Sequence, residues 1–195
     1  MDPGSSTGLY PGLLGSAWED LDERLRRFHS GEGGGEGAGL FTIRRGRALL
    51  ARVIAGLLRF PREGQAVPTC LVVRAESDPG VAREVWERSF GGRKLVSRQY
   101  PGRDGLLAER FGCLEFRLRL RAADGALHFQ PAGSALALGP LRVRLPGWAS
   151  PAVEARVSAA EGGGERLAVQ VKVTAPLAGT LLQYQGCLER KEARP

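Results

Sequence analysis

A chain of 195 residues, 43% of them hydrophobic, is long enough to bury one core, so we expect a single domain. The formal net charge is +7, and arginine supplies most of it, because Lys94, Lys172 and Lys191 are the only lysines. The longest apolar stretch with helical spacing, residues 48–58, is interrupted by Arg52 and is shorter than the roughly 20 residues that cross a bilayer, so we predict no membrane span.

The ends of the chain and the cysteines indicate a compartment. Residues 1–15 lack a basic flank followed by an apolar run, so they predict a flexible tail rather than a signal peptide. We predict one β-rich domain over residues 16–190 and a second short tail over residues 191–195. Cys70, Cys113 and Cys187 are odd in number and too widely spaced for a metal-binding pair, which favours reduced thiols in a cytoplasmic protein. Neither His29 nor His128 has a second ligand at metal-binding spacing, so we predict no metal and no cofactor.

The first predicted element is a helix over Trp18 to His29, whose apolar residues recur every three or four positions. We expect His29 to cap its end, with the charged form favoured by the helix dipole. The glycine-rich stretch from Glu32 to Gly39 follows. Because it lacks the Lys-Ser or Lys-Thr of a phosphate loop, we predict a flexible connection there.

After a short β-like run at Leu40 to Arg44, the spacing predicts a second helix from Gly46 to Leu58, ended by Pro61. Its opposite side carries arginines. Such a helix is typically packed on a sheet, and the alternative is a basic helix lying on a membrane surface. Its apolar stripe comprises Leu49, Leu50, Val53, Ile54, Leu57 and Leu58.

From Val67 onward the hydrophobic period changes from about 3.6 to 2, which is typical of strands. Turn signals such as Asp124-Gly125 and Pro146-Gly147 separate the runs. Parallel strands would need long crossover connections, so these strands must run antiparallel. The alternating runs include Phe116 to Arg121, Leu141 to Leu145, Val153 to Val157 and Leu167 to Val173.

The predicted fold class is therefore α+β and mainly β. We expect an antiparallel meander that forms a curved sheet or a partly closed barrel, with the amphipathic helix packed on it. The concave side would hold the helix from Gly46 to Leu58, an apolar ligand, or both.

Two charged residues interrupt apolar strand faces. Arg88 lies between Trp86 and Phe90, and Glu109 lies between Leu107 and Phe111. An unpaired charge on a buried face costs several kcal/mol, roughly, so each needs a partner or access to water. Three interpretations remain open: a shallow rim where both reach solvent, a structural ion pair between Glu109 and Arg88 or Arg98, or the polar end of a ligand cavity.

Five short phrases are spread in order over most of the chain: Gly39 to Gly46, Trp86 to Gly92, Glu109 to Gly112, Pro176 to Gly179 and Tyr184 to Gly186. Together they resemble a bacterial domain-of-unknown-function family, number 4166, which occurs alone or after saccharopine-dehydrogenase-like domains. The resemblance implies a bacterial origin and possible association with such an oxidoreductase, but it implies no activity. It draws attention to Trp86, Arg88, Glu109 and Tyr184. A small departure is Cys113, where the family often has proline.

Three functions compete, and the sequence does not decide whether the protein is an enzyme. The first is binding of a small hydrophobic ligand in the concave side of the sheet, near Trp86, Arg88, Arg98, Glu109 and Tyr184. The second is an accessory module for a saccharopine-dehydrogenase-like oxidoreductase, and the third is an enzyme on a hydrophobic substrate with Glu109 as acid or base. Nucleic acid binding is disfavoured, because the arginine-bearing strand faces contain no aromatic residues.

Overall fold

The computed structural model describes residues 8–30, 35–78, 81–139 and 141–191, and within them it contains three α-helices and eleven strands. The helices are α1 (Leu9–Leu14), α2 (Glu23–His29) and α3 (Leu49–Leu57). The strands are β1 (Glu36–Arg45), β2 (Gly64–Asp78), β3 (Val81–Phe90), β4 (Arg93–Pro101), β5 (Leu107–Phe111), β6 (Leu114–Ala123), β7 (Ala126–Leu138), β8 (Leu141–Arg144), β9 (Ala152–Ala159), β10 (Arg166–Ala175) and β11 (Gly179–Arg190).

Ten of the strands form a closed antiparallel barrel. The order around it is β6-β5-β4-β3-β2-β1-β11-β10-β9-β7, and β7 pairs back to β6 to complete the ring. The fold class predicted from the alternating pattern is confirmed, and the sheet closes fully. Closure leaves the ring without free edges, so the apolar faces of all ten strands point to one interior.

The eleventh strand, β8, lies outside the ring and pairs with the later part of β7. Its sequence alternates Leu141 and Val143 with arginines, as a half-buried strand does, yet both apolar side chains are exposed. Alternation alone does not show whether a neighbouring element covers the apolar face.

The predicted helix from Trp18 to His29 is broken in the middle. A 3₁₀ turn covers Gly15–Asp20, then Leu21 takes an extended conformation and bridges to Gly125, and α2 begins after Asp22. The Asp22 carboxylate caps α2 by accepting a hydrogen bond of 2.9 Å from the backbone N–H of Arg24. Leu21 and α2's Leu25 and Phe28 are nevertheless buried, so the apolar spacing correctly identified the core side.

Part of the predicted N-terminal tail is packed rather than loose. Leu9–Leu14 form α1, and Tyr10 is fully buried against the barrel, which corrects the prediction for residues 9–14. A short sequence with Pro11 and glycines has little helical pattern of its own, so tertiary contacts decide its structure. Residues 1–7 and 192–195 of the two predicted tails lie outside the described residues.

The predicted glycine-rich loop is shorter than expected, because residues 36–39 already belong to β1; residues 31–34 lie outside the described part. Gly39 pairs with Leu188 of β11 at very close range. A Cβ atom at Gly39 would lie 1.8 Å from the carbonyl oxygen of Cys187, so glycine here permits strand pairing rather than flexibility.

Helix α3 connects β1 to β2 across one end of the barrel, against β11, and does not occupy the concave interior. Its orientation corrects the sequence prediction: Ala51 and Ala55 face the barrel and are buried, while Leu49 and Leu57 are 77% and 79% exposed. Small alanines allow the helix to approach the strands closely. Among the described residues, no helix is long and apolar enough to cross a membrane.

Helices α1 and α2 close the opposite end of the barrel. The backbone N–H of Asp22 donates to Gly125 in the β6–β7 turn, and Arg24 donates to Ala160 after β9. One hydrophobic core therefore joins the N-terminal helices to the strands.

Candidate functional site

The barrel encloses a cavity of about 440 Å³. Val169 and Val171 lie on the inner faces of β10 but are only half-buried, because no side chain covers them there. Carbon atoms dominate the wall. The apolar residues that line it include Phe41, Leu71, Trp86, Phe90, Leu95, Phe116, Leu118, Phe129, Ala155, Val157, Leu182 and Leu188.

The cavity reaches the surface at the α3 end of the barrel. Lining residues there are exposed: Leu57 and Arg59 at the end of α3, Lys94 after the β3–β4 turn, and Gly112 and Cys113 in the β5–β6 turn. We call the opening between these three segments the portal. The opposite end of the cavity is bounded by Phe28 and His29 of α2.

A buried ion pair joins β3 and β5 inside the barrel. Arg88 Nη2 donates to Glu109 Oε1 at 2.9 Å, and both side chains are buried, at 12% and 7% exposure. Ser97 on the intervening strand β4 connects them: its hydroxyl accepts from Arg88 Nη1 at 2.8 Å and donates to Glu109 Oε1 at 2.7 Å. Of the three interpretations left open by the sequence, the structure shows an ion pair, and both partners line the cavity.

The Arg88 guanidinium is also held by aromatic rings. Its Cζ atom lies 4.9 Å from the ring centroid of Trp86 and 5.8 Å from that of Phe111. Burial alone would lower the pKa of Arg88, but the Glu109 carboxylate, Tyr184 and Tyr10 together raise it, so the charged form is retained. The site thus contains a fixed positive charge that is already neutralised by a partner.

Arg98 does not take part in this pair. Odd-numbered residues of β4 point inward at this register, so Arg98 faces outward and donates to Glu76 at 3.3 Å while 62% exposed. The expectation that Arg98 pairs with Glu109 or contacts a ligand in the cavity is therefore wrong. The parity of strand positions, counted from Ser97, would have excluded it.

Tyr184, on β11, brings a hydroxyl to the cavity wall beside the ion pair. Burial raises the pKa of this hydroxyl, and the positive charge of Arg88 acts in the opposite direction. In the described part of the chain, the hydroxyl has no hydrogen-bond partner. It is a polar group at the cavity wall that could bond to a bound molecule.

A second polar group on the same inner face of β3 was missed by the sequence reasoning. The Trp86 indole Nε1 donates to Glu84 Oε2 at 2.8 Å, and burial raises the pKa of Glu84 to about 7. Glu84 lies two residues before Trp86, so the alternation that identified Arg88 also placed it inside. Nearby, the Tyr10 hydroxyl donates to Gln99 Oε1 at 2.6 Å and anchors α1 in the barrel.

His29 is not a charged cap. It is buried, its ring centroid lies 4.0 Å from that of Tyr10, and burial lowers its pKa to about 3. Its Nδ1 atom has no hydrogen-bond partner among the described residues. The end of α2 points into the barrel, where desolvation outweighs the helix dipole.

The described titratable groups of the cavity do not form a metal site. Within the described residues, no three His, Cys, Asp or Glu side chains are grouped to hold a metal ion. In the described part of the chain, the cavity wall is mainly apolar and carries the Arg88–Glu109 ion pair, the unpartnered Tyr184 hydroxyl and the unpartnered Nδ1 atom of His29.

The structure defines the class as a closed antiparallel β-barrel with an internal apolar cavity. The chain belongs to the family described as "Domain of unknown function (DUF4166)", whose model matches residues 21–188. The resemblance seen in the sequence is thus confirmed. Comparison of the chain with curated proteins and with solved structures gave no match.

The phrases that carry the resemblance have two structural roles. Trp86, Arg88, Glu109 and Tyr184 all lie at the cavity. Gly39, Gly46 and Gly186 lie where a Cβ would approach backbone oxygens of a neighbouring segment to 1.8, 1.8 and 2.4 Å.

Proposed function

We propose that this protein binds a small hydrophobic molecule inside the barrel, without transforming it. The observation that carries the proposal is the cavity, whose volume of about 440 Å³ lies within the range of about 300–1,000 Å³ usual for ligand pockets. An apolar ligand that fills a cavity of this size would make the packing contacts that side chains make in a close-packed core.

The polar end of the cavity suggests the chemistry of the ligand. Because Glu109 already neutralises Arg88, a second full charge has no free partner there. The unpartnered Tyr184 hydroxyl offers one hydrogen bond. The ligand is therefore an apolar molecule with a neutral hydroxyl or carbonyl group, held mainly by apolar contacts and oriented by Tyr184.

A variant with a blocked cavity tests whether the ligand binds inside the barrel. Val171→Trp places an indole in the cavity, whereas Gln170→Trp places the same group one residue away on the outer face of β10. With decanol as the probe and displacement of anilinonaphthalene sulfonate as the readout, we expect Val171→Trp to lose binding and Gln170→Trp to keep it. Equal binding by both variants would refute an internal site.

The orienting role of Tyr184 has its own readout. Tyr184→Phe removes only a hydroxyl that has no partner among the described residues, so stability should change little while decanol binding weakens roughly tenfold, the worth of one hydrogen bond. Binding of decane should be unaffected. Native mass spectrometry of the protein purified from its own host would then identify the natural ligand as added mass.

The enzymatic alternative uses Glu109 as acid or base. Its Oε1 atom accepts hydrogen bonds from both Arg88 and Ser97, which favours a positioning role in the barrel over proton transfer.

An accessory role beside a saccharopine-dehydrogenase-like oxidoreductase is favoured by one observation, the exposed outer strand β8. Its Leu141 and Val143 could pair and pack with a partner strand. Co-purification of such an oxidoreductase with the wild type, lost on Val143→Pro, would support this candidate; retention of the partner by that variant would exclude β8 as the contact. A cytoplasmic location, proposed from the free cysteines, is compatible with either role.

A further inference from the structure

Helix α3 exposes a continuous apolar face. Leu49, Val53 and Leu57 are 77%, 50% and 79% exposed, and Leu50 beside them is 45% exposed. At about 100° per residue these four positions fall within one arc of the helix surface, opposite Ala51 and Ala55. Large aliphatic side chains grouped in this way are usually covered by something.

The charge around this face indicates what covers it. Residues 44–62 contain six arginines and no acidic residue. Arg47, Arg52, Arg59 and Arg62 are exposed. A short helix with an apolar face and cations along its border matches the interface of an anionic bilayer, where side chains enter the acyl boundary and arginines meet phosphates.

The exposed apolar face of α3 lies beside the opening of the cavity. The end of α3 forms one side of the portal, through Leu57 and Arg59. Leu177, in the turn between β10 and β11 at the same end of the barrel, adds a further apolar side chain that is 72% exposed. A surface that covers α3 would therefore lie beside the opening of the cavity.

We propose that α3 docks on an anionic lipid bilayer and brings the portal to the membrane surface, so that an apolar ligand passes between bilayer and barrel without crossing water. This goes beyond the proposed function, and the docking itself requires no ligand. The helix lies on the membrane with its apolar face in the headgroup region.

Vesicle flotation tests the docking. The wild type should bind vesicles of phosphatidylcholine with phosphatidylglycerol, bind vesicles of phosphatidylcholine alone much less, and dissociate at high salt. Leu49→Ser/Val53→Ser should weaken binding on the order of tenfold or more, since these residues supply the apolar contact. Arg52→Gln should weaken it roughly fivefold. Leu40→Ser, at a site 60% exposed on the barrel wall, is the matched control and should bind as the wild type does.

Several results would overturn the docking. These are equal binding to neutral and anionic vesicles, equal effects of Leu40→Ser and Leu49→Ser/Val53→Ser, or self-association that the double substitution abolishes, which would assign the face to a second copy of the chain. Circular dichroism checks that each variant folds.

The two proposals fail separately. Leu49 and Val53 do not line the cavity, so Leu49→Ser/Val53→Ser should bind decanol as the wild type does. Loss of flotation with decanol binding intact supports docking by α3. A wild type that binds decanol but not anionic vesicles overturns only the docking, and a wild type that floats but does not bind decanol overturns only the proposed ligand site.

Discussion

Two buried titratable side chains, Glu84 and His29, change the pH dependence of folding stability in opposite directions. Burial raises the pKa of Glu84 to about 7 and lowers that of His29 to about 3. Both groups are therefore neutral in the folded protein over the weakly acidic range. Glu84 releases a proton on unfolding there, whereas His29 takes one up, so their contributions to the pH dependence of folding partly cancel.

Glu84→Gln separates the two effects. In the wild type, the folded state holds the Glu84 proton more tightly than the unfolded state, so this contribution to stability is full below pH 4.5 and is lost as pH rises to about 7. Glu84→Gln has no titratable group at this position, so it does not lose this stability as the pH rises. Its free energy of unfolding relative to the wild type should rise over this window, by on the order of 3 kcal/mol, and stay constant above it.

Urea denaturation at a series of pH values measures this difference in the free energy of unfolding. The contribution of His29 cancels from the difference because both proteins retain that residue. A stability difference between the two proteins that does not vary with pH would contradict a neutral Glu84.

The ion pair of Arg88 and Glu109 is better understood as a constraint than as a source of stability. Removing the two charges from water costs roughly several kcal/mol, and the attraction between them is of similar size. What the pair does is fix β3, β4 and β5 in register through Ser97 and hold the Trp86 and Phe111 rings at the cavity wall.

Among the elements, the contact of β1 with β11 shows how closely the barrel wall is packed. Gly39 and Gly186 lie on the two strands, and a Cβ at either position would overlap backbone atoms of the other strand. The absence of a side chain at these two glycines lets the backbones of β1 and β11 approach closely.

Gly39→Ala should therefore destabilise the protein by about 1–3 kcal/mol, because the strands must separate to admit a methyl group. Gly56→Ala is the matched control: nothing lies within 4 Å of the added Cβ, and the site is in α3. Alanine should stabilise that helix by about 0.5–1 kcal/mol. Both values follow from urea denaturation, and a Gly39→Ala protein as stable as the wild type would show that the wall can relax.

At the scale of the whole molecule, the two ends of the barrel differ. The N-terminal helices fill one end and share its core, whereas α3 borders the portal at the other and leaves its own apolar face uncovered. The exposed residues that define the portal lie at the α3 end, so the portal gives access to the cavity from that end of the barrel.

A shared core predicts a single unfolding transition. Leu25 of α2 is fully buried, so Leu25→Ala should cost about 2–5 kcal/mol. Because the helices and strands belong to one cluster, the melting temperature should fall without splitting the transition. Circular dichroism, which reports the strands, and tryptophan fluorescence, which includes Trp18 near α2, should coincide. A separate early transition in fluorescence would show that the N-terminal segment folds independently.

The family resemblance, rather than alternation, drew attention to Tyr184. The sequence by itself determined what depends on local alternation: that the chain is mainly antiparallel strands, and that Arg88 and Glu109 lie on otherwise apolar strand faces. It identified Arg88 and Glu109 because a charge that breaks an apolar strand face must find a partner. The same alternation places Glu84 on an inner strand face and Arg98 on an outer one. It would therefore have added Glu84 to the predicted site and removed Arg98 from it.

Only the tertiary structure decided which apolar faces are covered. Hydrophobic spacing identifies an apolar face but not the element that packs against it, so the sequence predicts that β8 and α3 belong to the core. In the structure β8 lies outside the ring, and α3 packs through its alanines. Closure of the barrel depends on the pairing of β1 with β11, which are far apart in the sequence, and on the close backbone approaches at Gly39 and Gly186 of these strands. The cavity is a consequence of that closure, because its volume is set by the curvature of the whole wall and by no single strand.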